Sequence, residues 1–210
     1  GGTESLQSPK SIWSPIALGL IRELGVDINK LAGHFDQTFY PDLGLSRGVY
    51  FDQKNFGVDK IVGGDPGGSV ADDIPPNRRN GRSYKKFIGD FPMTAEEKKA
   101  LIDLHTKKKD YLAGMTTDEK MDWLDHYGFL GFLRVKVKLP ENAIRYFQQS
   151  PSHFQGVGIA APSCNDARIC YLPELDGMQL PPLDPVYQAE LDDPYIFHFP
   201  DGNASLARLM

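Results

Sequence analysis

With 210 residues, 40% of them hydrophobic and 24% charged, the chain can bury one compact core with extensions, and global disorder is excluded. Its formal net charge of -5 speaks against nucleic acid as a partner, because phosphate backbones demand a dense basic surface. No apolar run is long enough to cross a bilayer, and nothing in the first residues reads as a signal peptide or lipidation motif, so a soluble protein without a membrane span is expected.

Residues 1–9 read as a loop rich in Gly, Ser and Thr. Ser14-Pro15 predicts a helix start, a capping hydroxyl followed by proline at the first helical position. Ile16, Leu20, Ile21 and Leu24 recur at helical spacing until Gly25, and Asp27 can cap a second short helix through Leu31. Residues 48–51 and 58–62 predict two short strands with Asn55 and Gly57 between them. Residues 63–82, with four glycines, Pro75-Pro76 and Asn80-Gly81, predict an exposed loop or lid.

A helix-rich middle follows. Thr94-Ala95-Glu96-Glu97 and Thr116-Thr117-Asp118-Glu119 are capping boxes, in which the first threonine accepts from the first turn and the glutamate three residues on reaches back. Leu101, Leu104 and His105 share a face of the first helix, and Met121, Trp123 and Leu124 follow in the second. Pro140 opens a helix with Ile144 and Phe147. Pro, Gly and aromatic residues across 150–194 argue against long regular elements there. Residues 195–199 alternate toward a short strand, and Asp201-Gly202-Asn203 caps a last helix with Leu206 and Leu209. That helix stops after about two turns without a C-terminal cap, and the opening is equally abrupt, which fits a frayed terminus or a chain cut from a longer one.

The local motifs exclude several chemistries. The Gly63–Gly68 run has neither the Lys-Ser/Thr of a P-loop nor G-x-G-x-x-G spacing, so it reads as a flexible loop. Arg78, Arg79, Arg82, Lys85 and Lys86 read as a solvated basic surface that could touch an anion. His34, His105, His126, His153 and His198 form no close metal pair. A haem ligand needs no sequence neighbour, and His153, in the Pro/aromatic region, is the candidate. Cys164 and Cys170 make no CxxC pair; they are either one bridge or two semi-buried thiols. Glu174 and Asp176, in a Pro- and Gly-bounded loop beside Tyr171, are either exposed turn carboxylates or groups presented to a cation with an aromatic face alongside.

Four stretches taken in order carry a family resemblance. Gly1-Gly2-Thr3-Glu4-Ser5-Leu6-Gln7-Ser8-Pro9 resembles the segment after the glycine-rich flavin region of bacterial spermidine-dehydrogenase-like FAD proteins. The block 48–59, the block from Phe154 to Met178, and the ending from Phe197 to Leu209 are similar to later blocks of the same family. The resemblance covers most of the chain outside residues 63–82. The family's G-x-G-x-x-G and C-terminal flavin-contacting segment do not occur here, and Tyr171–Asp176 is more polar than the family's glycine-rich pattern.

The resemblance implies an α+β fold: a mostly helical substrate-side domain with short strands, inserted within a Rossmann-type FAD-binding fold largely outside this chain. Residues 1–10 would be a flavin-proximal loop, 11–194 the substrate domain and 195–210 the return into the FAD domain. Gly1, Gly2, Thr3, Glu4 and Ser5 would approach FAD, the glycines because close backbone approach needs no side chain. The implied reaction is hydride transfer from the carbon next to an amine, such as that of a polyamine, onto FAD, giving an imine that water hydrolyses. Tyr171 would supply the aromatic wall, and Glu174 or Asp176 the anchor for a distal ammonium. Haem stands beside FAD as a further cofactor candidate, with His153 as its ligand. The chain alone is expected to be inactive, with the remaining segments of the flavoprotein as its partners and the bacterial periplasm or cytoplasm as its location. Two rivals stand beside this reading: a non-catalytic binding module, and a flavin oxidase or desaturase acting on an amino acid or an apolar substrate.

Overall fold

Short polar side chains start the helices that the sequence marks. In the computed structural model, which describes residues 6, 9–34, 36, 38–67, 80–170, 172–173, 175–192 and 198–210 (without the side chains of 32, 153, 154 and 190–192), the hydroxyl of Ser14 accepts from the Ala17 N–H, and Pro15–Glu23 is helical. Asp27 accepts from the Asn29 N–H ahead of the Ile28–Leu31 turn. Thr94 and Thr116 close both expected capping boxes, each taking an N–H three residues on while Glu97 and Glu119 accept from the threonine's own N–H at 2.8 and 2.7 Å. These begin the helices Ala95–Thr106 and Thr117–His126.

The chain divides into two compact units. The flanking unit comprises Gly1–Ser46, Gly67–Gly81 and Leu183–Met210; the central unit comprises Arg47–Pro66 and Arg82–Pro182. Residues 11–46 thus group with the chain's last segment rather than with the expected substrate domain. The physical reason is a small shared core: Leu6 and Leu31 are buried together with Trp13, Val26, Ile28, Phe199 and Leu206 packed against them. The Ser11 hydroxyl also donates to the Ala189 carbonyl at 3.0 Å. Helices Pro15–Glu23, Pro185–Asp192 and Ala204–Leu209 belong to this unit. Of the apolar residues expected on one face of the first helix, Ile21 is buried whereas Ile16 is 85% exposed in this chain.

The central unit is α+β, with one two-stranded antiparallel sheet and helices around it. Strands Gly48–Phe51 and Lys60–Gly63 pair from Gly48 opposite Gly63 to Phe51 opposite Lys60. The second strand lies two residues beyond its expected start. Asp52 accounts for the shift: its carboxylate accepts from the Asn55 N–H at 2.9 Å and starts a helical turn, Gln53–Phe56, which Gly57 ends at φ 75°. Period-two alternation sends Phe51 and Val62 into the core and leaves Tyr50 and Ile61 outward.

Behind the sheet, Phe51, Phe87, Phe91, Phe129 and Phe132 are almost wholly buried with Leu101, Leu124, Leu133 and Met178. Phe51 meets Phe56, Phe91 and Tyr146 at centroid distances of 4.9, 4.7 and 6.4 Å. The helix Glu141–Tyr146 follows Pro140 as expected, burying Ile144. Residues 129–137 form one helical turn and then a π-helical stretch, Phe132–Val137, which buries Phe132 and Leu133 and ends at Lys138 in the left-handed region. The described residues of 150–194 hold only short helices, the longest being Pro185–Asp192. One of them, Cys164–Ile169, opens with a capping box from Ser163 and Asp166. Cys164 and Cys170 are buried free thiols, and burial pushes the Cys164 thiol up to about 12, which keeps it protonated and inert. The strand expected at 195–199 falls mainly on residues outside those described. Among the described residues no helix is long and apolar enough to cross a membrane.

Candidate functional site

The central unit contains a cleft of about 340 Å³ built from three separated stretches of chain. The first is the end of the Ala95–Thr106 helix, which brings Leu104, His105 and Thr106 to the opening. Beyond Thr106 the backbone turns extended at Lys107, and Lys107, Lys108 and Lys109 form a rim. The second is Tyr84, first residue of the Tyr84–Gly89 helix, whose ring lies flat on the His105 imidazole at 4.3 Å and 6°. The third runs from Arg168, in the Cys164–Ile169 helix, to Leu172, Pro173, Leu175, Asp176 and Gly177.

Two contacts hold the walls together. Gly177 lies so close to the backbone of Lys109 that a Cβ placed on it would sit 2.4 Å from the Lys109 nitrogen and 2.5 Å from its oxygen. Lys120, buried in the Thr117–His126 helix, donates to the Asp110 carboxylate at 2.7 Å and to the Met178 carbonyl at 2.9 Å. One ammonium therefore ties the end of the lysine segment to the 176–178 turn, and its hydrogen bond holds the Asp110 carboxyl below the usual carboxylate range.

The charge around the cleft is mainly positive. Lys107 pairs with Asp103 at 2.9 Å, and Lys109 lies over the Tyr111 ring at 4.6 Å. Lys108 is exposed and has no partner among the described residues. Arg168 is half-buried; it donates to the Pro181 carbonyl, and burial draws its guanidinium below its usual range while nearby Asp176 opposes that shift. The aromatic pair is neutral. Burial raises the Tyr84 phenol and lowers His105 to about 4, so the imidazole carries no charge near neutral pH.

The His105 shift has a testable consequence for stability. The unfolded imidazole titrates near its ordinary value of about 6.5, and the folded one only near 4. Above the first value both states are neutral. As pH falls below it, the unfolded chain takes up a proton that the folded chain refuses, so stability drops by roughly 1–3 kcal/mol over that interval. A falling Tm between about pH 7 and pH 4.5 is expected, with a clearly flatter profile in His105→Phe. An unchanged slope in the variant would assign the loss to other groups.

The expected site residues are distributed as follows. Asp176 is exposed at the cleft, on the 3-10 turn Asp176–Met178, within electrostatic reach of Arg168. Tyr171, Glu174 and Gly1–Ser5, the last expected near a flavin, lie outside the described residues, as does the side chain of His153. Among the described residues no group of three His, Cys, Asp or Glu side chains could hold a metal ion. From the basic cluster, Arg82 serves the fold: it donates to the Gly63 carbonyl at 2.7 Å and to the Asp90 carboxylate at 2.6 Å, joining the sheet to the following helix. Arg78 and Arg79 lie outside the described residues, while Lys85 and Lys86 are exposed. Sequence reasoning passed over Lys107–Lys109 and Lys120. The signal for them was three lysines directly after a helix stop, and a lysine four residues before buried Leu124 on one helical face.

No family model matches the chain, and no curated protein matches it.

Proposed function

We propose that this chain forms the substrate side of an FAD-dependent amine oxidoreductase acting on a polyamine such as spermidine, with most of the FAD-binding domain contributed by other segments of the same protein. The observation that carries the reading is the way the chain divides. Gly1–Ser46, Gly67–Gly81 and Leu183–Met210 belong to one unit, with Leu6 and Leu31 packed with Phe199 and Leu206, and the two stretches of the central unit alternate with them in sequence. A domain inserted within another gives this kind of interleaved connectivity, and insertion is what the family resemblance implies. The ordered similarity of residues 1–9, 48–59, 154–178 and 197–209 supports the same reading.

Bound FAD would supply hydride acceptance. This chain would supply binding, orientation and exclusion of water from the amine, with Tyr171, Glu174 and Asp176 as the proposed contacts and haem an additional group. The test is to add the flanking FAD-domain segments and record the visible spectrum with and without spermidine. Flavin bands that bleach on anaerobic addition of spermidine are expected, and a Soret band would add haem. An extended protein that folds but carries no flavin would end the oxidoreductase reading and favour the binding-module rival. Flavin that bleaches with an amino acid or an apolar substrate but not with amines would change the substrate class.

A further inference from the structure

The cleft of the central unit suits a ligand of the opposite charge to a polyamine. Four cationic side chains, Lys107, Lys108, Lys109 and Arg168, line it against one described carboxylate, Asp176, and of the four Lys107 is already paired with Asp103. The end of the Ala95–Thr106 helix contributes about half a negative charge and offsets only part of this excess. Lys108 has no charge partner among the described residues, and Arg168 spends one side of its guanidinium on the Pro181 carbonyl. The interior is different in kind, since Leu172 and Leu175 lie beside the flat Tyr84–His105 pair. The volume, about 340 Å³, falls at the small end of the usual range for ligand sites, roughly 300–1,000 Å³.

We infer that this cleft binds a small organic anion, a carboxylate or phosphate ester with a flat apolar body, its charged head held by Lys108 and Arg168 and its body lodged among the apolar and aromatic lining. The site shares Asp176 with the amine-oxidising reading, but its test is separate from that reading's. It belongs wholly to the central unit and requires no flavin. Gly177 packed on Lys109 and the Lys120 clamp join the walls without ligand, so the ordering cost on binding falls mainly on the exposed Lys108 side chain.

Calorimetric titration of the 210-residue chain with benzoate, phenyl phosphate and spermidine at low salt tests this. Saturable binding of benzoate or phenyl phosphate is expected; which one binds more tightly tells carboxylate from phosphate ester. Lys108→Glu should weaken that binding by about 10-fold or more, and Lys108→Arg should keep it. Lys108 is exposed and unpaired among the described residues, so both variants should fold, which the far-ultraviolet dichroism of each would verify. Two results overturn the proposal: neither anion binds, or anion binding is indifferent to Lys108→Glu and Arg168→Gln alike. Spermidine binding that Asp176→Asn abolishes, with no anion binding, would hand the cleft to a cation instead. None of these results depends on whether the extended protein carries flavin.

Discussion

Replacing Phe51 by alanine should cost the central unit about 3–5 kcal/mol, the usual range for emptying a fully buried aromatic site. The phenyl ring has no exposed surface and sits among Phe56, Phe91 and Tyr146. With Val62 it fastens the two-stranded sheet to the helices, and neighbouring rings cannot all close on the vacancy at once. A two-stranded hairpin has little stability of its own in water, so loss of this anchor should also loosen the pairing of Gly48–Phe51 with Lys60–Gly63. Urea unfolding should show a lower midpoint, and hydrogen exchange should speed up at the hairpin amides. A loss below about 1 kcal/mol would contradict close packing at this position.

Lys120→Ala should be the next most damaging change, at about 2–3 kcal/mol. The lysine is 7% exposed, and its ammonium satisfies both Asp110 and the Met178 carbonyl. Truncation removes the packed alkyl stem and leaves the carbonyl without its donor. The loss stays below that of a fully dry ion pair because the Asp110 side chain is 24% exposed and regains water. Lys120→Met keeps the stem and should recover part of the stability. In both variants the Asp110 carboxyl should return toward the ordinary aspartate range, which carbon-detected NMR titration can read directly. An Asp110 titration unchanged from the parent would mean that the clamp does not hold in solution. If the clamp also shapes the cleft, both variants should lose affinity for the anionic probes as the 107–110 and 176–178 segments separate.

What the sequence revealed was local chemistry. Thr94 with Glu97 and Thr116 with Glu119 are complete within four residues, so both helix starts could be read directly, as could Ser14-Pro15. The hairpin was legible in outline, but its second strand was placed early because Asp52 competes for the backbone and draws 53–56 into a helical turn. The Ser163 box was missed because its third helical residue is Asp166 rather than the customary glutamate. The run from Phe129 to Val137 gave no clear period, and its π-helical geometry depends on burying Phe132 and Leu133 against distant partners. The cleft was not legible for a related reason. Tyr84, His105, Lys108, Arg168 and Gly177 are separated in sequence and meet only through folding, and the close approach that makes Gly177 matter is to a backbone 68 positions earlier, from 177 to 109.

The interleaved division of the chain also sets an order of events during synthesis. The central unit has all its residues once Pro182 has left the ribosome, and it can fold while the rest is still being made. The flanking unit cannot. Leu6 and Leu31 emerge well before Phe199 and Leu206, which pack against them. Until then Trp13, Val26 and Ile28 wait without the apolar partners they have in the finished protein, tethered to a neighbour that is already folded. The folded centre also shortens the loop that the late contacts must close, because an ordered domain spans less distance than the same residues as free chain. The nascent protein therefore keeps that apolar surface uncovered until the Leu183–Met210 stretch is made.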